Sequence, residues 1–202
     1  KTQVNKIAQT AEMVYGNFDA VQAIGADAKK GSFLKPILMR ENSPFINTSC
    51  HEIEAFGPVS TIMPYKNLED AITLSQMGKG SLVSSIFTYD DVIARDYVIG
   101  AASHHGRILV GNREMAKQST GHGSPLPMLV HGGPGRAGGG EEMGGVRGIK
   151  HYMQRVAVQG SPDMLTAVTG VYHPFAKGRE DSIHPFRKYF EEIRVGDQLM
   201  TG

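Results

Sequence analysis

The chain has 202 residues, 40% of them hydrophobic and 20% charged, with a formal net charge of +1. That length fits one ordinary domain, or one domain and a piece of another, with enough apolar residues for a real core. The near-neutral balance and the lack of a long Lys/Arg run exclude charge-driven nucleic-acid binding, and no apolar run approaches the roughly 20 residues of a membrane helix.

Val4, Ile7, Ala8, Ala11 and Val14 recur at helical spacing and predict an amphipathic helix over 2–15. The run 20–26, AVQAIGA, reads as a short buried strand ending at glycine. FLKPILM (33–39) is also apolar, but Pro36 weakens it as a central strand. VSTIMPY (59–65) is a strand by its β-branched residues, and NLEDAITLSQM (67–77) is a helix that Asn67 can cap. SLVSSIFTY (81–89) is the next strand. Asp90 caps a helix whose Val92, Ile93, Tyr97 and Gly100 are expected to face inward, and GRILVGN (106–112) is a further strand.

The order from 59 to 112 is thus β-α-β-α-β with short connections, the pattern of a parallel sheet with helices packed on it. Functional groups of such sheets gather at the C-terminal strand ends. Residues 113–140 form a long Gly/Ser/Pro-rich loop, followed by a short helix near 141–152. QRVAVQG (154–160) alternates like an edge strand, and 171–186 has the composition of a linker.

The first residues are polar and periodic, unlike a signal peptide. The single cysteine, Cys50, leaves no internal disulfide and suits a reducing cytoplasm. Both ends read as cut. Residue 1 is Lys, the first predicted helix has no cap before it, and YFEEIRVGDQLMTG begins a new apolar pattern and stops.

Residues 131–145, HGGPGRAGGGEEMGG, invite a phosphate-cradle reading. A Walker-type loop needs Lys-Ser or Lys-Thr after its glycines, and a dinucleotide fingerprint needs a strand before them. Neither is present, so the stretch reads as backbone that takes positive φ repeatedly and packs close to another backbone. The eight histidines show no H-x-x-x-H or H-E-x-x-H spacing, and no metal site is expected. Adjacent His104 and His105 would point to different faces on a helix. His122, beside hydroxyl residues in the long loop, suits a substrate contact or a plain surface loop equally well. Cys50 lies near Glu52 and Glu54, whose negative charge raises a thiol pKa, so it reads as structural and not as a nucleophile.

The most specific stretch is HEIEAFGPVSTIMPYKNLEDAITL. A carboxylate before a turn can accept two hydrogen bonds from a sugar diol, and an aromatic two residues on can pack beside a flat ring. An exposed Glu and a core Phe would look the same in sequence.

This EAFGPV run resembles the E-x-F-G-P motif of the aldehyde dehydrogenase superfamily. The resemblance extends through GRILVGN to GGGEEMGGVRGIKHYMQR, which is similar to the family's closing motif, and covers about residues 1–160. STGHGSPLPMLVHGGPGRAGGGEEMGGVRG and RKYFEEIRVGD further resemble the subgroup in which the dehydrogenase is fused to a MaoC-like enoyl-CoA hydratase, in aerobic phenylacetate degradation.

The resemblance implies an α/β catalytic domain with a parallel sheet flanked by helices, an edge strand of the oligomerisation region and a C-terminal linker. The domain would span 1–160, a terminal helix and linker 161–186, and the start of a hydratase 187–202. Glu54 would bind the nicotinamide-side ribose of NADP or NAD, and Phe56 would pack beside that ribose and the nicotinamide. Asn112 would lead into a substrate loop, 113–131, lining a tunnel for an acyl-CoA semialdehyde, with Ser119 and His122 as further contacts.

The family's nucleophilic Cys and general-base Glu would lie upstream of Lys1, so no catalytic residue is expected in the chain. A dimer-based homo-oligomer, up to a hexamer, is implied as well. Two rivals stand: a stand-alone semialdehyde dehydrogenase of a benzoyl-CoA-type pathway, and a non-catalytic assembly module using the 154–160 edge strand.

Overall fold

The computed structural model describes residues 1–19, 21–115, 132–138, 149, 153 and 156–177. The chain divides into two compact units, Lys1–Gly78 and Lys79–Gly202.

In the first unit, helix α1 (Thr2–Ile7) buries Val4 and Ile7. It stops about two turns earlier than its apolar spacing predicts. Residues 12–15 instead form strand β1 (Glu12–Tyr15), with a register irregularity between Met13 and Tyr15. Its antiparallel partner is β2 (Ile37–Arg40). Met13 packs toward the core and Val14 is exposed, the reverse of the helical expectation.

Gly16 explains the exit from β1. It has φ +87°, and a Cβ there would sit 2.3 Å from the Pro36 carbonyl oxygen, so only glycine fits between the two strands. The expected strand at 20–26 is not formed over 21–26, where the chain bends at 24–26 and Ile24 is 99% exposed. Apolar composition alone could not supply a pairing partner.

β2 is the central strand of its sheet, between β1 and parallel β3 (Val59–Ile62), against the expectation drawn from Pro36. The proline lies just before the ladder begins, so its missing N–H removes no inter-strand bond. A short helix that sequence patterning did not predict, α2 (Ser49–Glu52), leads back to β3. Val4, Ile7, Ala11, Ile37 and Met39 form the core here, with Cys50, Ile53, Ala55 and Val59 packed on it. Helix α3 (Leu68–Gln76) is capped as predicted, the Asn67 side chain accepting from the Asp70 N–H at 2.8 Å.

In the second unit, β4 (Ser81–Phe87), β5 (His105–Gly111) and β6 (Ala157–Gln159) form an all-parallel sheet in that order. Every residue of central β5 is buried, as expected of a parallel strand covered on both faces. The β-α-β-α-β order holds, but its strands divide between sheets, since β3 pairs with β2 and β4 with β5.

Helix α4 (Asp91–Ala101) buries Ala94, Tyr97, Val98 and Ala101, spaced i, i+3, i+4, i+7. Val92 and Ile93, expected inside, are exposed, so the inward stripe lies one step around the helix. Tyr97 ties the helix to the sheet through its hydroxyl, which is hydrogen-bonded to that of Ser84. α4 also packs against α5 (Pro162–Thr169), which begins at a Ser161 cap and ends at Gly170 in the left-handed conformation.

The Asp90 carboxylate accepts from the N–H groups of Val92 at 2.9 Å and Ile93 at 3.1 Å, satisfying two orphan donors of α4. Asp90→Ala is expected to lower stability by about 1 kcal/mol, within the ~0.5–2 kcal/mol range of such caps. Urea denaturation at matched slope measures it, and an unchanged midpoint would show the cap to be idle.

Candidate functional site

The segment after α2 runs extended, with Ile53 at φ −104°, ψ 117°. Side chains therefore alternate. Ile53 and Ala55 pack toward the core of the first unit, and Glu54 and Phe56 are exposed on the other side. Phe56 is 89% exposed and has a positive φ of 21°, uncommon for a bulky residue.

The segment is held at both ends. The Ile53 N–H donates to the Ser49 carbonyl of α2 at 3.0 Å, and the Pro58 carbonyl accepts from the Ile37 N–H of β2 at 2.9 Å. An aromatic ring and a carboxylate are thus displayed side by side on a backbone fixed at each end. Burying a phenyl ring is worth about 1.5–3 kcal/mol, so its exposure leaves a large hydrophobic contact unused within the unit.

Asn112 follows the last residue of β5. Its Oδ1 accepts from the N–H groups of Glu114 (3.1 Å) and Met115 (3.2 Å), and its Nδ2 donates to the Ser161 hydroxyl at 3.1 Å. The side chain thus shapes the entry to the long loop and joins it to the cap of α5. Ser161, a buried residue, was not legible as part of this arrangement from its own neighbourhood. Ser119 and His122 lie outside the described residues, as do most of 141–152 and all of 178–202.

Residues 132–138 show the tight backbone packing predicted for the Gly-rich stretch. Gly135 and Gly138 have φ of +53° and +76°. The Arg136 N–H donates to the Lys79 carbonyl at 3.1 Å. A Cβ on Gly106 would lie 1.9 Å from the Gly132 carbonyl oxygen, and one on Gly133 2.4 Å from that of Ser81. These contacts are at the N-terminal ends of β4 and β5, the opposite end of the sheet from Asn112. The stretch is therefore a clamp on the strand starts.

Cys50 is half-buried, 3.7 Å from the Asn47 carbonyl oxygen and from the Met63 sulfur. Burial first, then the charge of Glu41, push its thiol up from the ordinary value, which keeps it protonated at neutral pH. The charge responsible is that of Glu41, not the expected Glu52 or Glu54.

His105 is buried, with Nδ1 2.6 Å from the Ser81 hydroxyl, and burial, reinforced by His104, lowers its pKa. His104 bonds separately to the Ser103 hydroxyl at 2.8 Å. Among the described residues, no three His, Cys, Asp or Glu side chains gather as a metal site, and no helix is long and apolar enough to cross a membrane.

The chain is similar to known proteins. Residues 2–158 match the model of the aldehyde dehydrogenase family. The chain is 51% identical over 199 residues to "Protein MaoC" of Klebsiella aerogenes, covering 98% of this chain and 58% of that protein. It is 35% identical over 129 residues to a 3,4-dehydroadipyl-CoA semialdehyde dehydrogenase of Aromatoleum evansii, covering 64% and 25%.

The chain thus spans only part of the length of the curated relatives it matches. The solved structure of HpcC from Thermus thermophilus shares the fold, with a TM-score of 0.52 at 19% identity over 75% of this chain and 28% of that one. The match over residues 2–158, which takes in the exposed Glu54–Phe56 pair, the β5 strand and the Gly-rich clamp, shows that this chain belongs to the aldehyde dehydrogenase family.

Proposed function

We propose that the chain is part of an NAD(P)-dependent dehydrogenase that oxidises a CoA-linked semialdehyde to the acid. The observation that carries this reading is the outward pair Glu54 and Phe56 on a fixed extended segment. A carboxylate can accept hydrogen bonds from both hydroxyls of a ribose, and an adjacent exposed ring supplies an apolar wall for the flat base beside it. The residues present therefore fit the nicotinamide end of the cofactor. When bound, that group supplies the hydride acceptor. Glu54 orients the ribose, Phe56 shields one side of it from water, and Asn112 holds the end of β5 from which the substrate loop departs.

The substrate class is supported by the semialdehyde dehydrogenase relative, whose named substrate is a CoA thioester. Within that class we favour 3-oxo-5,6-dehydrosuberyl-CoA semialdehyde, formed after oxepin-CoA ring opening in phenylacetate degradation. The match to Protein MaoC over 98% of the chain supports a hydratase-like continuation from 187 onward. Residues 113–131, with Ser119 and His122, would line the substrate path. A cytoplasmic homo-oligomer built from dimers, with β6 at its interface, completes the reading.

The test is turnover by the full-length protein. CoA-linked semialdehydes should be oxidised with NADP or NAD at a kcat/KM at least about tenfold above that for the free aldehydes, a gap of about 1.4 kcal/mol in transition-state binding. Equal rates with and without CoA would remove the substrate proposal. Residues 1–202 alone should oxidise neither, and turnover by them would show that the nucleophile is within the chain.

A further inference from the structure

We infer that Glu41 is a positioning residue for the Glu54–Phe56 face. It follows β2 directly and is 2% exposed, among the most buried side chains in the described protein. Its backbone N–H donates to the Ile62 carbonyl at 2.9 Å, extending the β2–β3 pairing by one residue. Its Oε1 accepts from the Ser43 N–H at 2.7 Å and from Asn47 Nδ2 at 3.0 Å. One carboxylate oxygen therefore fixes both ends of the turn 43–47 to the end of β2.

That turn leads straight into α2. The Ser43 carbonyl accepts from the Ile46 and Asn47 N–H groups, each at 2.9 Å, and the Thr48 carbonyl from those of His51 (2.9 Å) and Glu52 (3.1 Å). His51 Nε2 lies 3.0 Å from the Pro44 carbonyl oxygen, tying helix to turn, and Cys50 seats the helix on the core. The displayed segment 53–58 is thus suspended from one strand at two points. The Ile37 N–H holds Pro58 at the start of β2, and the Glu41 carboxylate holds the turn at its end.

An apolar residue at 41 would fill the space, and burying a carboxylate there is costly. What an apolar residue lacks is an acceptor for the Ser43 and Asn47 N–H groups. Oε2 is buried without a hydrogen-bond partner, so the second oxygen adds no tie. Glu41 is buried and so is not itself presented to the ribose or nicotinamide proposed above. Its action is through backbone placement, since misplacement of a binding group by about 1 Å can cost up to ~100-fold.

The inference rests on the cofactor reading of Glu54 and Phe56, and three variants of the full-length protein separate the two. Glu41→Leu removes the acceptor at similar volume. Glu41→Gln keeps one oxygen for both N–H groups. Phe56→Ala tests the reading itself. Glu41→Leu is expected to raise the KM for NAD(P) about tenfold with kcat within about twofold, and Glu41→Gln to restore KM to within about twofold of the parent.

A folded Glu41→Leu protein with parental KM, alongside a Phe56→Ala protein with raised KM, overturns the inference and leaves the reading standing. Parental KM in Phe56→Ala overturns both. Equal impairment of the Gln and Leu variants overturns the acceptor argument. Should the Leu variant not fold, Asn47→Ala removes one donor from the same oxygen, and the same selective rise in KM is required of it.

Discussion

Gly106→Ala should cost about 3 kcal/mol or more, at or beyond the top of the ~1–3 kcal/mol range for overpacking. The added methyl would lie 1.9 Å from the Gly132 carbonyl oxygen and 3.0 Å from the Gly132 carbonyl carbon and Gly133 Cα. These are backbone atoms and cannot rotate away. Gly106 lies within β5, the buried central strand, between His105 and Arg107, which pair with Ser81 and Val83 of β4, so β5 cannot yield there without disturbing that pairing.

Against a typical stability of about 5–15 kcal/mol, such a loss should show as a sharp drop in soluble yield or in melting temperature. Gly78→Ala is the control. Nothing lies within 4 Å of its Cβ position, and it should stay within about 0.5 kcal/mol of the parent. If Gly106→Ala melts with the Gly78 variant, the close contact of the two backbones is not a feature of the molecule in solution.

The second large effect is functional. Glu54→Gln in the full-length protein should weaken NAD(P) binding about 10–100-fold while leaving the melting temperature alone. The range follows from the ~1.5–3 kcal/mol of a hydrogen bond to a charged group, at about 1.4 kcal/mol per decade of affinity. Glutamine keeps the size and one acceptor but turns the second oxygen into a donor, which faces a hydroxyl less favourably than a carboxylate does. Because Glu54 is exposed and its flanking residues Ile53 and Ala55 carry the packing, stability has no reason to change. Direct titration of cofactor fluorescence reads the affinity. A parental dissociation constant would retire Glu54 as the ribose ligand.

Much of the architecture was legible where local chemistry and tertiary need agree. Asn67 and Asp90 cap helices because their side chains satisfy the first orphan N–H groups, a purely local matter. The strands at 59, 81 and 106 follow from β-branched and aliphatic runs bounded by turn residues. What failed depended on partners far along the chain.

Val14 fits a helical stripe, yet residues 12–15 pair with 37–40, a competition that no window of a dozen residues contains. Ile24 belongs to an apolar run that finds no sheet edge. The division of β3 and β4 between sheets is equally non-local, because β-α-β order says nothing about which strand takes β3 as neighbour. For the site, alternation about Ala55 could not be told from a core phenylalanine until the inward neighbours were known. Glu41 carried a visible signal, an acid directly after the apolar run ILM and Arg40, but its burial depends on the turn folding back over it.

β5 has an anchor at each end. Asn112 ties its exit to Ser161, and Gly132–Gly133 lie against its entry. The connection between them therefore leaves one end of a strand about 20 Å long, at ~3.3 Å per residue, and must be received at the other. Both anchors belong to described residues on either side of the connection, so chimeras cut after Met115 and before Gly132 retain the Asn112 turn and the glycine contacts, and with them the two fixed ends of β5.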